Sequence, residues 1–351
     1  MSEKNKIGRR VFMGTGLLGV GGALGWLVGR PKNAPKKPPG EKTALPPELV
    51  NKFEYDLSAY EKTDRDLLLY NEANSFPTNF QRVARMTIMP DDRILVAGDK
   101  SVKIFNLNGS MELEVPLERL PHCLYAGENE FIVSHWDRFL IYDYQGNLKS
   151  KTESLGEKVY ITAIVADDDG LFLADAGNRE VLRCDREGNI EYKFGKKDPS
   201  LKNPGFAVPS PFFDLKMASD GNLRIVNPGR LRVETYTADG RFQSSWGEPG
   251  IKIDRFCGCC NPAFFAFTPD GSFVTSEKGL ARINVYDQDG NFQGTVAGPD
   301  MLITDRSVVK KASPDEKIGL GFDVTVDSGG RVLALDPYKK SIRVFEPKTT
   351  V

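Results

Sequence analysis

The chain has only two histidines and five cysteines among its 351 residues. Two histidines are too few for a His-rich metal site, and no Cys-x-x-Cys-His run occurs that could attach haem. Lysine and arginine total 47 against 48 for aspartate and glutamate, so no excess of positive charge favours general nucleic-acid binding. The sequence also lacks a Gly-rich phosphate loop and the Ser-His-Asp order of a hydrolase. Any basic or metal site must therefore be a local feature.

Turn residues and aromatic residues are abundant instead. The chain contains 34 glycines, 22 prolines and 21 phenylalanines, which suit a β-rich core with many tight connections. The clearest unit is residues 161–190, where three strand-length apolar runs are separated by Asp-Asp-Gly, Ala-Gly-Asn and Glu-Gly-Asn turns. None of the runs is long enough for a helix. The unit therefore predicts an antiparallel meander.

This unit recurs along the chain. The further copies are residues 85–109, 123–146, 218–242, 269–292 and 322–346. Divided among six copies, residues 65–348 give roughly 47 residues each, which is the length of a four-stranded propeller blade. We therefore predict an all-β fold, a six-bladed β-propeller of four-stranded antiparallel blades.

Two short motifs carry a resemblance to a known family. The first is Ala-Asp-Ala-Gly-Asn-Arg at residues 174–179, and the second is Trp-Gly-Glu-Pro-Gly at residues 246–250. Together with the recurring unit, they resemble the NHL repeat family over most of residues 65–348. The resemblance implies the propeller fold but no single function, because such propellers serve as hydrolases, lyases, binding modules and scaffolds.

The sixth copy ends after its third strand, at Phe345. Residues 66–70, Asp-Leu-Leu-Leu-Tyr, form a strand-like run without a copy of its own. Completing the last blade with this N-terminal strand would remove two open sheet edges. We therefore predict that an N-terminal strand closes the ring.

The N-terminal region has the composition of a targeting signal followed by a linker. Arg9 and Arg10 precede an uncharged stretch, residues 11–29, that would span about 28 Å as a helix. Residues 1–30 resemble a twin-arginine export signal, and the alternative is an ordinary signal or anchor helix. Residues 31–60 form a Pro- and Lys-rich linker, and residues 61–351 the propeller. The prediction is an extracytoplasmic or periplasmic protein, tethered to the cytoplasmic membrane through residues 11–29.

Function is expected on the propeller face that carries the long connections, residues 195–211, 247–262 and 297–321. Aligned on their first turn, the copies place one residue each where the innermost strand enters the central channel from this face: Arg85, Cys123, Ala163, Asp214, Phe264 and Asp323. Arg85, Asp214 and Asp323 could bind a metal or a small polar ligand at the channel mouth. The alternative is that Arg85 pairs with Asp323 and plugs the channel.

The second-to-third strand turns contribute a second set of residues to this face. Each carries a basic residue: Lys100, Arg138, Arg179, Arg230, Arg282 and Lys340. These six could attract an anionic ligand or partner. The NHL resemblance implies instead that such residues tie neighbouring blades together. His135 and Trp136 depart from the repeat and are candidates for a contact site.

Residues 256–262, Phe-Cys-Gly-Cys-Cys-Asn-Pro, replace an ordinary connection with three thiols. Cys257 and Cys260 could form a disulfide, and Cys259 and Cys260 could form a vicinal one. The three thiolates could instead hold a soft metal or part of an iron–sulfur cluster. The candidate fourth ligands are His122, Cys123 and Cys184. A further alternative is that the thiols are free and buried.

These features predict a binding or scaffold module with a redox or metal-handling role for the cysteine loop. We expect a protein partner or small ligand on the long-loop face and no nucleic acid. The alternative is a metal-dependent hydrolase or lyase with its site at the channel mouth. That function needs several inward-facing ligands from different blades, whereas the sequence offers two aspartates and no evident general base.

Overall fold

The computed structural model describes residues 58–200, 202–305, 307 and 320–348, which are almost entirely strands and turns. Helical structure here includes three short 3-10 turns, at Ser58–Tyr60, Arg65–Leu67 and Pro228–Arg230, and one helical turn, Pro299–Leu302. The strands are β1 Tyr70–Pro77, β2 Val83–Ile88, β3 Ile94–Gly98, β4 Ser101–Phe105, β5 Met111–Pro116, β6 Cys123–Ala126, β7 Glu130–His135, β8 Arg138–Asp143, β9 Leu148–Lys151, β10 Ile161–Ala166, β11 Leu171–Asp175, β12 Glu180–Cys184, β13 Ile190–Phe194, β14 Leu215–Met217, β15 Leu223–Asn227, β16 Arg232–Tyr236, β17 Phe242–Trp246, β18 Phe264–Phe267, β19 Phe273–Glu277, β20 Arg282–Tyr286, β21 Phe292–Ala297, β22 Asp323–Val326, β23 Val332–Asp336 and β24 Ser341–Pro347.

These strands form six four-stranded antiparallel sheets. Blades 1 to 5 are the meanders β2–β5, β6–β9, β10–β13, β14–β17 and β18–β21, and blade 6 has the order β22-β23-β24-β1. The innermost strands β2, β6, β10 and β14 lie side by side around the channel, as do β18, β22 and β2. Blades 4 and 5 are linked here by the Phe265 amide, which donates to the Asp214 carboxylate. The predicted six-bladed propeller is confirmed.

The core lies between the blades, because both faces of each sheet pack on a neighbouring sheet. The second and third strands of a blade are accordingly buried along their length, as in β11 and β12. The outermost strands face solvent, and β13 and β17 expose most of their residues. Phenylalanine side chains fill much of the space between blades, which accounts for their number in the sequence.

An N-terminal strand closes the ring as predicted, but its position differs from the prediction. The strand is β1, which pairs with β24 from Tyr70 opposite Pro347 to Pro77 opposite Ser341. Residues 66–69 instead lie against blade 5, where the Leu69 amide donates to the Thr295 carbonyl at 2.9 Å. The prediction chose the apolar run, but an outermost strand that faces solvent needs no alternation of apolar residues. β1 is indeed largely exposed.

The segment that precedes β1 covers the outer strand of blade 5. Gly294 in β21 permits this contact, since a Cβ atom there would stand 2.6 Å from Cγ of Leu69. Farther along, the Thr63 amide donates to the Asp300 carboxylate at 3.1 Å. β21 is therefore more buried than the other outer strands. The N-terminal segment thus joins blade 5 to blade 6.

Within the described residues, no helix has the length and apolar character needed to cross a membrane. The predicted export signal with Arg9 and Arg10, the predicted anchor at residues 11–29 and most of the predicted linker lie outside the described residues.

Candidate ligand site at the channel mouth

Each second-to-third strand turn contains one residue in the left-handed region of backbone space. These residues are Asp99, Trp136, Arg179, Leu231, Gly279 and Lys340, with φ between 41° and 81°. Five of the six are not glycine, although this conformation strains other residues. The six turns thus share one backbone conformation, which places equivalent residues of each blade on the long-loop face.

The six basic residues of these turns do not form one exposed ring. Lys100 and Arg179 are exposed, and Arg138 pairs with the adjacent Asp137 at 3.2 Å. Lys340 is partly buried. The expectation that all six project from the face is wrong for Arg282, which is only 2% exposed.

Arg282 and Arg230 instead hold the long loops in place. Arg282 donates to the carbonyls of Ile251, Lys252 and Arg255 at 3.2, 3.0 and 2.7 Å. Arg230 donates to the carbonyl of Pro204 at 2.8 Å. Loop carbonyls that lack strand partners need donors, and a guanidinium group can supply several at once.

Arg85 bridges two aspartates across the channel. Its Nη2 lies 3.1 Å from Oδ1 of Asp214 in the opposite blade, and its Nε lies 3.3 Å from Oδ2 of Asp323 in the adjacent blade. The guanidinium group also lies over the ring of Phe264, 4.4 Å from its centroid. Both carboxylates are almost completely buried. The structure therefore brings together all three residues predicted at the channel mouth.

Backbone amides engage these carboxylates further. Asp214 accepts from the Phe265 amide at 3.2 Å, and Asp323 accepts from the Met86 amide at 2.7 Å. Burial raises the pKa of the Asp323 carboxyl, and the Arg85 charge opposes this rise. The carboxylate oxygens are thus used to join blades and neutralise Arg85. This arrangement makes them unsuited to bind a metal ion.

An aromatic cluster lies at the same mouth, on blades 2 and 3. Trp136 stacks on Tyr160 with a centroid distance of 4.4 Å and an interplanar angle of 19°. His122 meets both rings edge-on, and its Nδ1 lies 3.1 Å from the Tyr160 hydroxyl. Trp136 is 52% exposed, whereas Tyr160 and His122 are partly buried. We name Trp136, Tyr160 and His122 the aromatic platform.

The platform is neutral and has a cationic neighbour. Burial, with smaller contributions from the charges of Arg82 and His135, lowers the pKa of His122 to about 4. Burial also raises the pKa of the Tyr160 hydroxyl, so neither side chain is charged near neutral pH. Arg82 itself is exposed. Apolar rings beside an exposed guanidinium group can accept a planar ligand that carries a negative charge.

The cysteine loop is held against blade 5 by two buried polar side chains. Asn261 donates to the Cys257 and Lys278 carbonyls and accepts from the Lys278 amide at 2.9 Å. Glu277 accepts from the Cys257 amide at 2.8 Å and pairs with Arg282 at 2.7 Å. Glu277 and Asn261 are both almost completely buried. The loop is therefore an ordered part of the long-loop face.

All five cysteines are free thiols, so the structure contains neither the Cys257–Cys260 bond nor the vicinal one considered for this loop. Burial raises the pKa of Cys123 to about 11 and that of Cys184 to about 12, and both lie in the core between blades 2 and 3. In the described part of the chain, no three His, Cys, Asp or Glu side chains are grouped to hold a metal ion. The thiolate-metal and iron–sulfur hypotheses therefore gain no support from the geometry.

A separate cleft of about 540 Å³ lies between the N-terminal segment and blade 5. Tyr60, Leu67, Ile253 and Phe292 contribute its apolar lining, and Arg282 lies at its wall. Its volume is in the range of small-molecule pockets. The cleft is therefore a second possible binding site, with which ligand binding at the channel mouth can be compared.

The sequence interpretation missed three residues that shape this face: Tyr160, Asn261 and Glu277. Tyr160 directly precedes β10 as His122 directly precedes β6, and this equivalence could have identified it. Glu277 ends the strand before a turn whose basic residue was already a candidate. Asn261 had no comparable signal, because its role depends on the folded loop.

The architecture defines this chain as a six-bladed β-propeller. No family model matches it, and no curated protein sequence does. Among solved structures it is similar to a streptogramin B lyase, with a TM-score of 0.50 and 12% identity over 78% of this chain and 97% of that one. It is also similar to virginiamycin B lyase from Staphylococcus aureus, with a TM-score of 0.50 and 12% identity over 79% and 89% of the two chains. A protein of unknown function from Bacteroides thetaiotaomicron matches with a TM-score of 0.50 and 16% identity over 82% and 74%. At these identities the likeness shows the fold alone.

Proposed function

We propose that this protein is an exported binding propeller that recognises a planar, negatively charged ligand or partner group at the channel mouth. The observation that carries the proposal is the aromatic platform, in which a half-exposed Trp136 rests on Tyr160. One face of the indole is supported by the partly buried Tyr160 ring, which leaves the other face available for stacking without further ordering. Such a preorganised aromatic surface is typical of recognition sites.

The charges around the mouth favour an anion. Arg82 lies close enough to the platform to lower the pKa of His122. On the other side of the channel, Nζ of Lys278 lies 4.9 Å from the centroid of the Phe212 ring. The two aspartates nearby are both paired with Arg85. A ligand at the mouth would therefore meet aromatic faces together with the cationic side chains of Arg82 and Lys278.

The anionic dye 8-anilinonaphthalene-1-sulfonate is a suitable probe, because it combines fused rings with a sulfonate group. We expect the folded protein to bind it saturably and Trp136→Gly to weaken binding by about tenfold, as expected for the loss of a stacking contact. Glycine suits the left-handed conformation at this position, so the variant should remain folded. Fluorescence titration measures the affinity, and circular dichroism checks the fold.

Tyr60→Ala provides the matched control, since Tyr60 is an exposed aromatic residue that lines the separate cleft. Dye binding that is lost in Tyr60→Ala and retained in Trp136→Gly would place the site in the cleft and contradict the proposal. Equal binding by both variants and the unchanged protein would also contradict it.

The lyase alternative makes a different prediction. One similar structure is a catalytically inactive variant of virginiamycin B lyase from Staphylococcus aureus with quinupristin. If our chain were such a lyase, incubation with quinupristin would convert it to a new product. We expect quinupristin to be recovered unchanged by liquid chromatography with mass detection, because the buried carboxylates of the mouth are paired with Arg85.

Export and tethering complete the proposal. They rest on Arg9, Arg10 and the uncharged residues 11–29. The propeller would then present its long-loop face outside the cytoplasm. Membership of the NHL repeat family, suggested by residues 174–179 and 246–250, is part of the same proposal.

A further inference from the structure

Two adjacent thiols of the cysteine loop point toward each other. Sγ of Cys259 and Sγ of Cys260 lie 3.4 Å apart and form a hydrogen bond. Side chains of consecutive residues in an extended chain point to opposite sides, so this contact requires a particular local backbone. Gly258, which directly precedes the pair, lies in the left-handed region with φ of 89°. Among the described residues, this is the one pair of cysteines whose sulfur atoms are in contact.

The two thiols differ in access. Cys259 is exposed, whereas Cys260 is 2% exposed and belongs to the buried cluster that contains Phe212 and Phe264 at the channel mouth. An external reagent can therefore reach Cys259 first. Cys260 lies directly behind it, at the distance needed for a second step.

The rest of the loop keeps this pair in position. Asn261 follows Cys260 directly and is fixed by the Lys278 backbone on the neighbouring turn. Cys257 is held separately, through its backbone amide and carbonyl, by Glu277 and Asn261. The pair is thus flanked by Cys257 and Asn261, both of which are hydrogen-bonded to the Glu277–Lys278 segment or to each other.

We infer that Cys259 and Cys260 form a redox-active dithiol that closes to a vicinal disulfide when it meets a small-molecule disulfide. In the first step the Cys259 thiolate attacks one sulfur of the reagent, which forms a mixed disulfide and releases one thiolate. In the second step the Cys260 thiolate attacks Sγ of Cys259 and expels the second thiolate. The protein loses two electrons and two protons, and the reagent is reduced to two thiols.

The closed form is expected to reopen easily. Neighbouring Cα atoms stand about 3.8 Å apart, which is below the usual separation across a disulfide. Strained and exposed disulfides are the readily reduced ones, in contrast to structural disulfides. The pair is therefore a reversible modification site on the long-loop face. This inference is independent of the ligand proposed above.

The test uses the full-length protein, reduced and then treated with one equivalent of 2,2′-dithiodipyridine. We expect each protein to release two equivalents of pyridine-2-thione and to lose the mass of two hydrogens, with no pyridyl adduct retained. Peptide mapping should find one peptide in which Cys259 and Cys260 are joined. Dithiothreitol should restore the original mass.

Cys257→Ser is the matched control, because it removes the third thiol of the same loop and should close as the unchanged protein does. Cys259→Ser replaces an exposed side chain and should abolish closure without disturbing the core. Release of one equivalent with a retained adduct would overturn the inference. A bond that joins Cys257 to either of the other two thiols would overturn it as well.

Discussion

Arg85 links three blades at the centre of the propeller. It is the shared partner of two buried carboxylates, one from the opposite blade and one from the adjacent blade. Removal of one member of a buried ionic group leaves uncompensated charge, which costs about 3–5 kcal/mol. The same pairing explains why these residues do not offer a metal site.

We expect Arg85→Met to lower the free energy of unfolding at pH 7 by about 3–5 kcal/mol. The triple variant that also carries Asp214→Asn and Asp323→Asn should recover most of this loss, because it removes the two unpaired carboxylates as well. Urea denaturation measures both values. A single variant as stable as the unchanged protein would contradict this role of Arg85.

The charge of the two histidines is also affected by their surroundings, since His135 is buried and His122 is partly buried. Burial lowers the pKa of both His122 and His135 to about 4, with a further contribution from Arg82 and Arg119 respectively. In the unfolded chain a histidine titrates near 6.5. Since the folded pKa is the lower one, this contribution to stability is fully present above about pH 6.5 and is lost as the pH falls toward 4.

We therefore expect the proton NMR signals of both imidazoles to stay constant from pH 8 to about pH 5.5. The chain has only these two histidines, so the signals can be assigned with one His122→Gln variant. A signal that titrates with a midpoint near 6.5 would show that the corresponding ring is solvated, and would remove the neutral aromatic platform if it belonged to His122.

At the level of elements, the sequence predicts the repeated blades better than the features that occur only once, such as the closing strand. The six blades follow from apolar runs between Gly- and Asn-containing turns, since both faces of each sheet are buried. The closing strand β1 has no such pattern because it is exposed, and the Leu-rich run at residues 66–70 was mistaken for it. The aromatic platform and the Arg282–Glu277 pair also lay beyond prediction, because they depend on distances between segments.

The closing strand can be tested by truncation. Deletion of residues 1–77 removes β1 and the segment that covers blade 5, which exposes the edge of β24 and the apolar sides of two blades. We expect this truncation to lower the melting temperature by at least about 10 °C relative to deletion of residues 1–57. Equal melting temperatures for the two proteins would show that β1 adds nothing to the closed ring.

At the level of the whole molecule, the proposed location depends on the first thirty residues. Replacement of both Arg9 and Arg10 by lysine preserves the charge but removes the twin-arginine pair. We expect this variant to accumulate in the cytoplasm with an unchanged propeller, as measured by cell fractionation and limited proteolysis. Normal export of the variant would favour the alternative of an ordinary signal or anchor helix.

The pairing of β1 with β24 places the start and the end of the propeller side by side. The Lys348 amide donates to the Leu69 carbonyl at 2.8 Å, so a short peptide could link these two points. The ring would then have no natural beginning. A circular permutant with new termini in the turn at residues 168–170 would keep every strand pair and would lose only the covalent connection between β10 and β11. We expect such a permutant to fold and to bind the dye as the natural order does, because the propeller depends on which blades are neighbours and not on which blade is made first.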